Sequence, residues 1–327
     1  MIRILCTGDS HTWGQGVSGI MEEFEPPVVA GDLRLASFKS KGYVNLLRNA
    51  LEKMTGSYSE EWSGQEIADR YHTKFCRPCA VIENENIEFR FKGSMLRLEF
   101  RRDNCLAIPE IIIDRVAKDM PELLPAQGEN DYRLFTFLVE EGEHTVTIQA
   151  KQGILLLYKV ESYGGTCAVI NSGVGSCPAG RYLEEYWQDH VAEVRPDVVI
   201  AEAHTINDWL TGETLKEYRS NLTSLLEKCK SLGAQVVLLT VSPILGEQSL
   251  PWVLTKYCEY VEMSRLAAGD AGIKICDANA IMKLCLDGLG EKAASDYLFD
   301  DNWHPNERGH ALYAELIRQA IIIEFGR

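Results

Sequence analysis

Ile2-Arg3-Ile4-Leu5-Cys6-Thr7-Gly8-Asp9-Ser10 begins the chain with an apolar run that ends at once in Gly8-Asp9-Ser10. The run reads as one short strand. Open α/β sheets bind ligands just past the carboxyl ends of their strands, so a serine at that place is a candidate nucleophile. The plainer reading is a helix cap, which serine after a strand usually supplies. Taken alone, the stretch favours the cap.

A strand at residues 2–6 needs partners, and the nearest suitable ones lie beyond residue 165. Ala168-Val169-Ile170-Asn171 precedes a helix over roughly 181–194. Asp197-Val198-Val199-Ile200-Ala201 precedes one over roughly 215–231, closed by Gly233. Val236-Val237-Leu238-Leu239 precedes a helix over roughly 252–268. Ile273-Lys274-Ile275-Cys276 leads into irregular and helical chain and a last helix over roughly 306–325. Strands alternating with helices make βαβ units around a parallel sheet. The expected fold is a three-layer α/β/α sheet.

The chain between has a different texture. A helix is expected over 42–51, closed by Gly56. From about Ser57 to Ser162 short runs alternate with period two: Ile87–Phe91, Leu96–Phe100, Ile111–Ile113, Leu134–Leu138, His144–Ile148 and Leu155–Tyr158. Lys92-Gly93-Ser94, Gly128-Glu129-Asn130-Asp131 and Glu140-Glu141-Gly142 read as the turns between them. Such a series predicts an antiparallel β-sandwich. The expected domains are therefore a discontinuous α/β domain, 1–58 and 165–327, interrupted by an inserted β-sandwich, 59–164.

Composition narrows the function. Of 327 residues, 46% are hydrophobic and 25% charged, and 33 Lys and Arg against 48 Asp and Glu leave a net charge of −15. That excess argues against nucleic acid and anionic membrane as principal partners. No apolar run reaches the length of a membrane span, and no signal peptide precedes the first strand, so a cytoplasmic location is expected. The ten cysteines do not form a disulfide scaffold in a chain this long. Cys76-Arg77-Pro78-Cys79 is a lone CxxC without a second ligand pair, and reads as two packed or surface thiols rather than zinc. No metal site and no cofactor are expected.

Four stretches stand past a strand or before a helix: Gly8-Asp9-Ser10, Asn171-Ser172-Gly173-Val174-Gly175-Ser176, His204-Thr205-Ile206-Asn207-Asp208 and Asp301-Asn302-Trp303-His304-Pro305. In that order they resemble the motifs of the SGNH, or GDSL, hydrolase family, over roughly 1–56 and 165–327. The resemblance implies a flavodoxin-like sheet and a serine esterase, lipase or deacetylase. Ser10 would be the nucleophile, His304 the general base and Asp301, three residues before it, the acid that orients the ring. The oxyanion would meet the backbone N–H of Ser10, a backbone N–H at Gly175 or Ser176, and the side-chain amide of Asn207.

Each residue also has a plainer reading. His304 suits packing ahead of a helix begun by Pro305, Asp301 a solvated turn, and Asn207 a cap with Asp208 beside it. Asp9 reads as a buttress of its loop. Three positions depart from the family's pattern: its usual Leu after Ser10 is His11, the Gly two before Asn207 is Thr205, and the second block's Gly is displaced. Trp13, Trp209 and Trp303 lie in the same loops and would offer rings to a sugar or an acyl chain, although core packing accounts for most tryptophans. His72, His190, His204 and His310 are off the motifs and read as core or surface.

The expected substrate is a small-molecule or saccharide ester with a short, acetyl-like acyl group. Acyl transfer by the same residues and a non-catalytic carbohydrate-binding protein of the same fold are the rival readings. A homo-oligomer is compatible with the sequence.

Overall fold

Ile2–Gly8 forms β1, whose residues from Ile4 onward are all buried. The computed structural model describes residues 1–17, 37–63, 80–83, 86–101, 106–123, 132–246 and 256–325. The CxxC at 76–79, the turn at 128–131, His72, Cys105 and Trp252 lie outside them. Two units divide the chain: Met1, Asp32–Phe38 and Leu51–Ala168 in one, and Ile2–Gly31, Lys39–Ala50 and Val169–Arg327 in the other.

The second unit holds the α/β sheet. β9 is Cys167–Gly173, β10 Val198–Glu202, β11 Gln235–Leu239 and β12 Lys274–Cys276. The strand order is β12-β11-β10-β1-β9, and β1–β10, β10–β11 and β11–β12 pair in parallel. In order of appearance this is the flavodoxin-like 2-1-3-4-5 arrangement. The chain reverses its direction of winding between β1 and β10, and such a switch point opens a crevice at the carboxyl ends of the two strands. β10, Val-Val-Ile-Ala-Glu, is buried at every residue, as expected of a strand covered on both faces.

Helices follow each strand: α1 Ser10–Trp13, α2 Tyr43–Thr55, α3 Ala179–Arg181, α4 Thr205–Thr211, α5 Leu215–Ser231, α6 Tyr257–Ala271, α7 Ala278–Leu286, α8 Glu291–Leu298 and α9 Glu307–Phe325. α5 starts at a capping box in which Thr214 Oγ1 accepts from Glu217 N and the Glu217 carboxylate accepts from Thr214 N. The helix expected over 181–194 is present as α3 continued through two π-helical turns, Tyr182–Tyr186 and Gln188–Ala192. Among the described residues no helix is long and apolar enough to cross a membrane.

The first unit is antiparallel. β2 is Tyr58–Ser63, β3 Ala80–Ile82, β4 Ile87–Arg101, β5 Ile108–Ile113, β6 Val116–Ala117, β7 Tyr132–Gln152 and β8 Leu155–Gly164. They make a separate antiparallel sheet, β2-β8-β4-β7-β5-β6 with β3 on β8. Two of the expected turns are corrected. Lys92-Gly93-Ser94 and Glu140-Glu141-Gly142 lie inside β4 and β7, whose ladder pairs Gly93 with Gly142 and shifts register between Gly93 and Met95. Gly93 has φ +142° and would drive a Cβ into the Tyr163 backbone, so glycine here marks a bulge, not a chain reversal. Residues on either side of it, Phe91 and Leu96, Leu98 and Phe100, join one core cluster with Ile111, Val146 and Ile148. The bulge shifts the alternation by one residue, so apolar side chains on both sides of it face the same core. Arg97 and Glu161, on neighbouring strands β4 and β8, form a buried ion pair at 2.9 Å, with Lys159 Nζ 2.8 Å from Glu161.

Candidate active site

The Asp9-Ser10 turn is set by glycine at the end of β1. Gly8 has φ +155°, and a Cβ there would overlap the side chains of Thr12 and Glu202, so no larger residue fits. Asp9, not Ser10, is the N-cap of α1: its Oδ1 accepts from His11 N at 3.0 Å. This removes the plain reading of Ser10. Its hydroxyl is released from capping and lies 2.9 Å from His304 Nε2. As the first residue of α1, Ser10 also presents a backbone N–H that has no acceptor inside the helix.

The loop between α8 and α9 supplies the ring. Asp301 Oδ1 accepts from the backbone N–H groups of Trp303 and His304, at 2.8 and 2.6 Å, while Oδ2 lies 2.7 Å from His304 Nδ1. Asp301 therefore folds the turn and orients the imidazole at once. Burial opposes ionisation of Asp301, but the hydrogen bond and charge of His304 outweigh it and hold its carboxyl below the usual range. With the proton on Nδ1 donated to Asp301, Nε2 is left to accept from the Ser10 hydroxyl.

Asn207 sits inside α4, not at its cap, and is 8% exposed. Its Nδ2 donates to Asp9 Oδ2 at 2.7 Å, which aims the amide and leaves its second N–H unspent. Asp208 does not cap either; its Oδ2 accepts from Ala179 N at 3.0 Å. Thr205 bonds the Tyr218 hydroxyl at 2.8 Å and is fully buried. The second block is tied to the turn that bears Ser10: Val174 N donates to Gly8 O, and Asn171 Nδ2 to Thr12 O. A Cβ on Gly175 would overlap the Trp13 ring, and Ser176 has φ +55°.

The three tryptophans are not equivalent. Trp209 is 2% exposed and packs edge-on against Tyr257, so the expectation that it offers a ring to substrate is corrected: it belongs to the core. Trp13 is buried on Gly175. Trp303 is half-buried, and its carbonyl is engaged by His11 Nε2 at 3.0 Å and Ser242 Oγ at 3.1 Å.

Sequence reasoning left out His11, Glu202 and Ser242. The legible signals were an imidazole where the family has Leu and a carboxyl ending an all-apolar strand. Glu202 accepts from Asp9 N at 2.6 Å and from His204 N at 3.1 Å. Burial and the neighbouring Asp9 push its carboxyl well above the usual range. Asp9, His11 and Glu202 place one ligand-type atom each within 4.8 Å of the others. The Asp9–His11 and Asp9–Glu202 hydrogen bonds already use those atoms.

Residues 156–312 match the GDSL-like lipase/acylhydrolase family. The chain carries a GDSL-like lipase/acylhydrolase domain. It falls in the class of carboxylic ester hydrolases. The match includes Gly175, Ser176, Asn207, Asp301 and His304, and Ser10 precedes it. Among solved structures, a peptidoglycan O-acetylesterase is 14% identical with a TM-score of 0.54, over 98% of this chain and 90% of that one. An α/β hydrolase from the metagenome of Lake Arreo, Spain, is 14% identical with a TM-score of 0.49, over 98% and 94%. An acetylxylan esterase from Geobacillus stearothermophilus is 24% identical with a TM-score of 0.40, over 47% and 72%. At 14% identity the likeness to the peptidoglycan O-acetylesterase is one of fold. No curated protein matches the sequence.

Proposed function

We propose that this GDSL-like acylhydrolase is a serine esterase that works through Ser10, His304 and Asp301. The observation that carries the reading is the unbroken chain of contacts Ser10 Oγ–His304 Nε2 and His304 Nδ1–Asp301 Oδ2, 2.9 and 2.7 Å. Ser10 Oγ attacks the ester carbonyl carbon as its proton passes to His304 Nε2. The oxyanion is met by the Asn207 amide, the Ser10 N–H and a backbone N–H at Gly175 or Ser176. His304 returns the proton to the leaving alcohol, and an acyl-serine remains. Water then attacks that acyl group with His304 again as base, and the carboxylic acid leaves.

The proposed substrate is a short acyl ester, acetyl foremost, on a saccharide. Its support is a shared fold with a peptidoglycan O-acetylesterase, which is analogy at the level of fold. The test is hydrolysis of p-nitrophenyl esters of increasing chain length and of acetylated oligosaccharides, with Ser10→Ala as control. Fluorophosphonate labelling at Ser10 and activity that falls with chain length support the reading. Full activity in Ser10→Ala overturns it. Running the assay with an added acceptor alcohol separates hydrolysis from acyl transfer.

A further inference from the structure

His11 stands where the family's usual spelling has Leu, and its ring is fully buried. Nδ1 lies 2.9 Å from Asp9 Oδ1, and Nε2 lies 3.0 Å from the Trp303 carbonyl and 3.3 Å from Ser242 Oγ. Ser242 Oγ also reaches the Trp303 carbonyl, at 3.1 Å. The Asp9 carboxylate and the Trp303 carbonyl, one at each ring nitrogen, can only accept. A neutral imidazole has one N–H and satisfies one side; the imidazolium satisfies both.

We infer that His11 is a buried imidazolium that, paired with Asp9, positions the nucleophile, the oxyanion donor and the base relative to one another. The inference rests on the esterase reading above. Asp9 and His11 flank Ser10 in sequence. Asp9 Oδ2 holds the Asn207 amide at 2.7 Å. His11 Nε2 holds the carbonyl of Trp303, the residue joined to His304. One ion pair thus touches the three pieces of chain that must meet at the substrate carbonyl. Its two members also satisfy each other, which is the condition for burying charge without large loss.

Two other fully buried histidines supply the contrast. His310 accepts from Tyr43 N at Nδ1 and faces the Gln15 carbonyl at Nε2; burial pushes it down to about 3. His204 faces one carbonyl, that of Cys177, and burial lowers it as well. For His11 burial acts in the same direction, but the charge and hydrogen bond of Asp9, with the Trp303 carbonyl, reverse the result. The charged and titratable groups around it are Asp9, Asp301, Glu202, His310 and the His304 ring, whose centroid is 5.4 Å away.

Two measurements test this. In the wild-type enzyme with ¹⁵N-labelled histidine, long-range ¹H–¹⁵N spectra at neutral pH should show both His11 nitrogens protonated, assigned by loss of the signals in His11→Leu. One unprotonated nitrogen overturns the inference, and this readout does not depend on activity. Second, kcat per site titrated with a fluorophosphonate should fall about 10²-fold in His11→Leu, as expected of sub-ångström misplacement, with KM little changed. His11→Leu and Asp9→Asn should not add in the double variant, since they break one pair. A folded His11→Leu enzyme that loses thermal stability but keeps kcat per titrated site has only a structural histidine there, and the inference fails. A wild-type enzyme that neither labels nor hydrolyses an acetate ester sinks the esterase reading and the positioning role together. An active wild type with an undiminished variant sinks the second alone.

Discussion

Ser10 Oγ and His304 Nε2 lie 2.9 Å apart across 294 positions of sequence. The first turn of the chain and the last loop before its terminal helix meet because β1 lies inside the sheet, between β10 and β9. Removing either end of this contact should stop acyl transfer to the enzyme. Ser10→Ala and His304→Ala should each lower kcat by at least about 10³-fold, with circular dichroism unchanged. Steady-state hydrolysis of p-nitrophenyl acetate is the measurement.

Asp301 has two duties, and one substitution separates them. Asp301→Asn keeps an acceptor for the backbone N–H groups of Trp303 and His304 but presents an amide to Nδ1. That favours the tautomer with its proton on Nε2, facing Ser10. A drop on the order of 10³–10⁴ in kcat with a retained melting temperature is the expected outcome.

Asn207→Ala removes one proposed oxyanion donor and leaves Ser10 and His304 in place. About 10²–10³ should be lost from kcat, with KM nearly constant. Fluorophosphonate labelling should slow as well, because the phosphoryl oxygen occupies the same site.

The bulge in the first unit makes a paired prediction. Gly93→Ala places a methyl against the Tyr163 backbone at a positive φ and should cost about 1–3 kcal/mol in denaturant unfolding. Gly142→Ala, directly across the ladder, meets only the His144 ring at 3.7 Å and should be tolerated. Equal losses at the two glycines would mean that the bulge is not held by Gly93.

Asp277 gives a pH test. It caps α7 through Ala280 N and forms an ion pair with Arg265 at 2.9 Å. Burial raises its carboxyl, but Arg265 and the cap outweigh that and hold it below the usual value. A depressed acid contributes stability above its unfolded pKa of about 3.9, lost as pH falls through the lower folded value. Asp277→Asn keeps a cap, so at pH 7 it should cost only about 0.5–1 kcal/mol, the scale of a pair open to solvent. The difference from wild type should close in acid, as followed by melting temperature from pH 7 down to 2.

The parallel sheet was legible because its strands are predominantly apolar and its helices carry their own signals. The expected helix over 215–231 coincides with α5, where a capping box, an apolar stripe and a closing glycine agree. The antiparallel unit was less so. Lys92-Gly93-Ser94 has the chemistry of a turn, but whether a chain reverses or runs on through a bulge depends on the strand opposite, and that strand begins forty residues later. Arg97 and Glu99 read as a polar face of an alternating strand, yet Arg97 is buried against Glu161 on β8.

By itself the sequence determined the βαβ order, the interruption after the first helix and the four strand-end motifs that bear Ser10, Asn207, Asp301 and His304. These follow from local periodicity and from residue chemistry at fixed spacing. The tertiary structure decided the rest. It made Asp9 the cap, and so freed Ser10; it sent Trp209 into the core; and it set His11 between Asp9 and the Trp303 carbonyl. A histidine's charge depends on what faces its two nitrogens, and here one partner is two residues away while the other is 292.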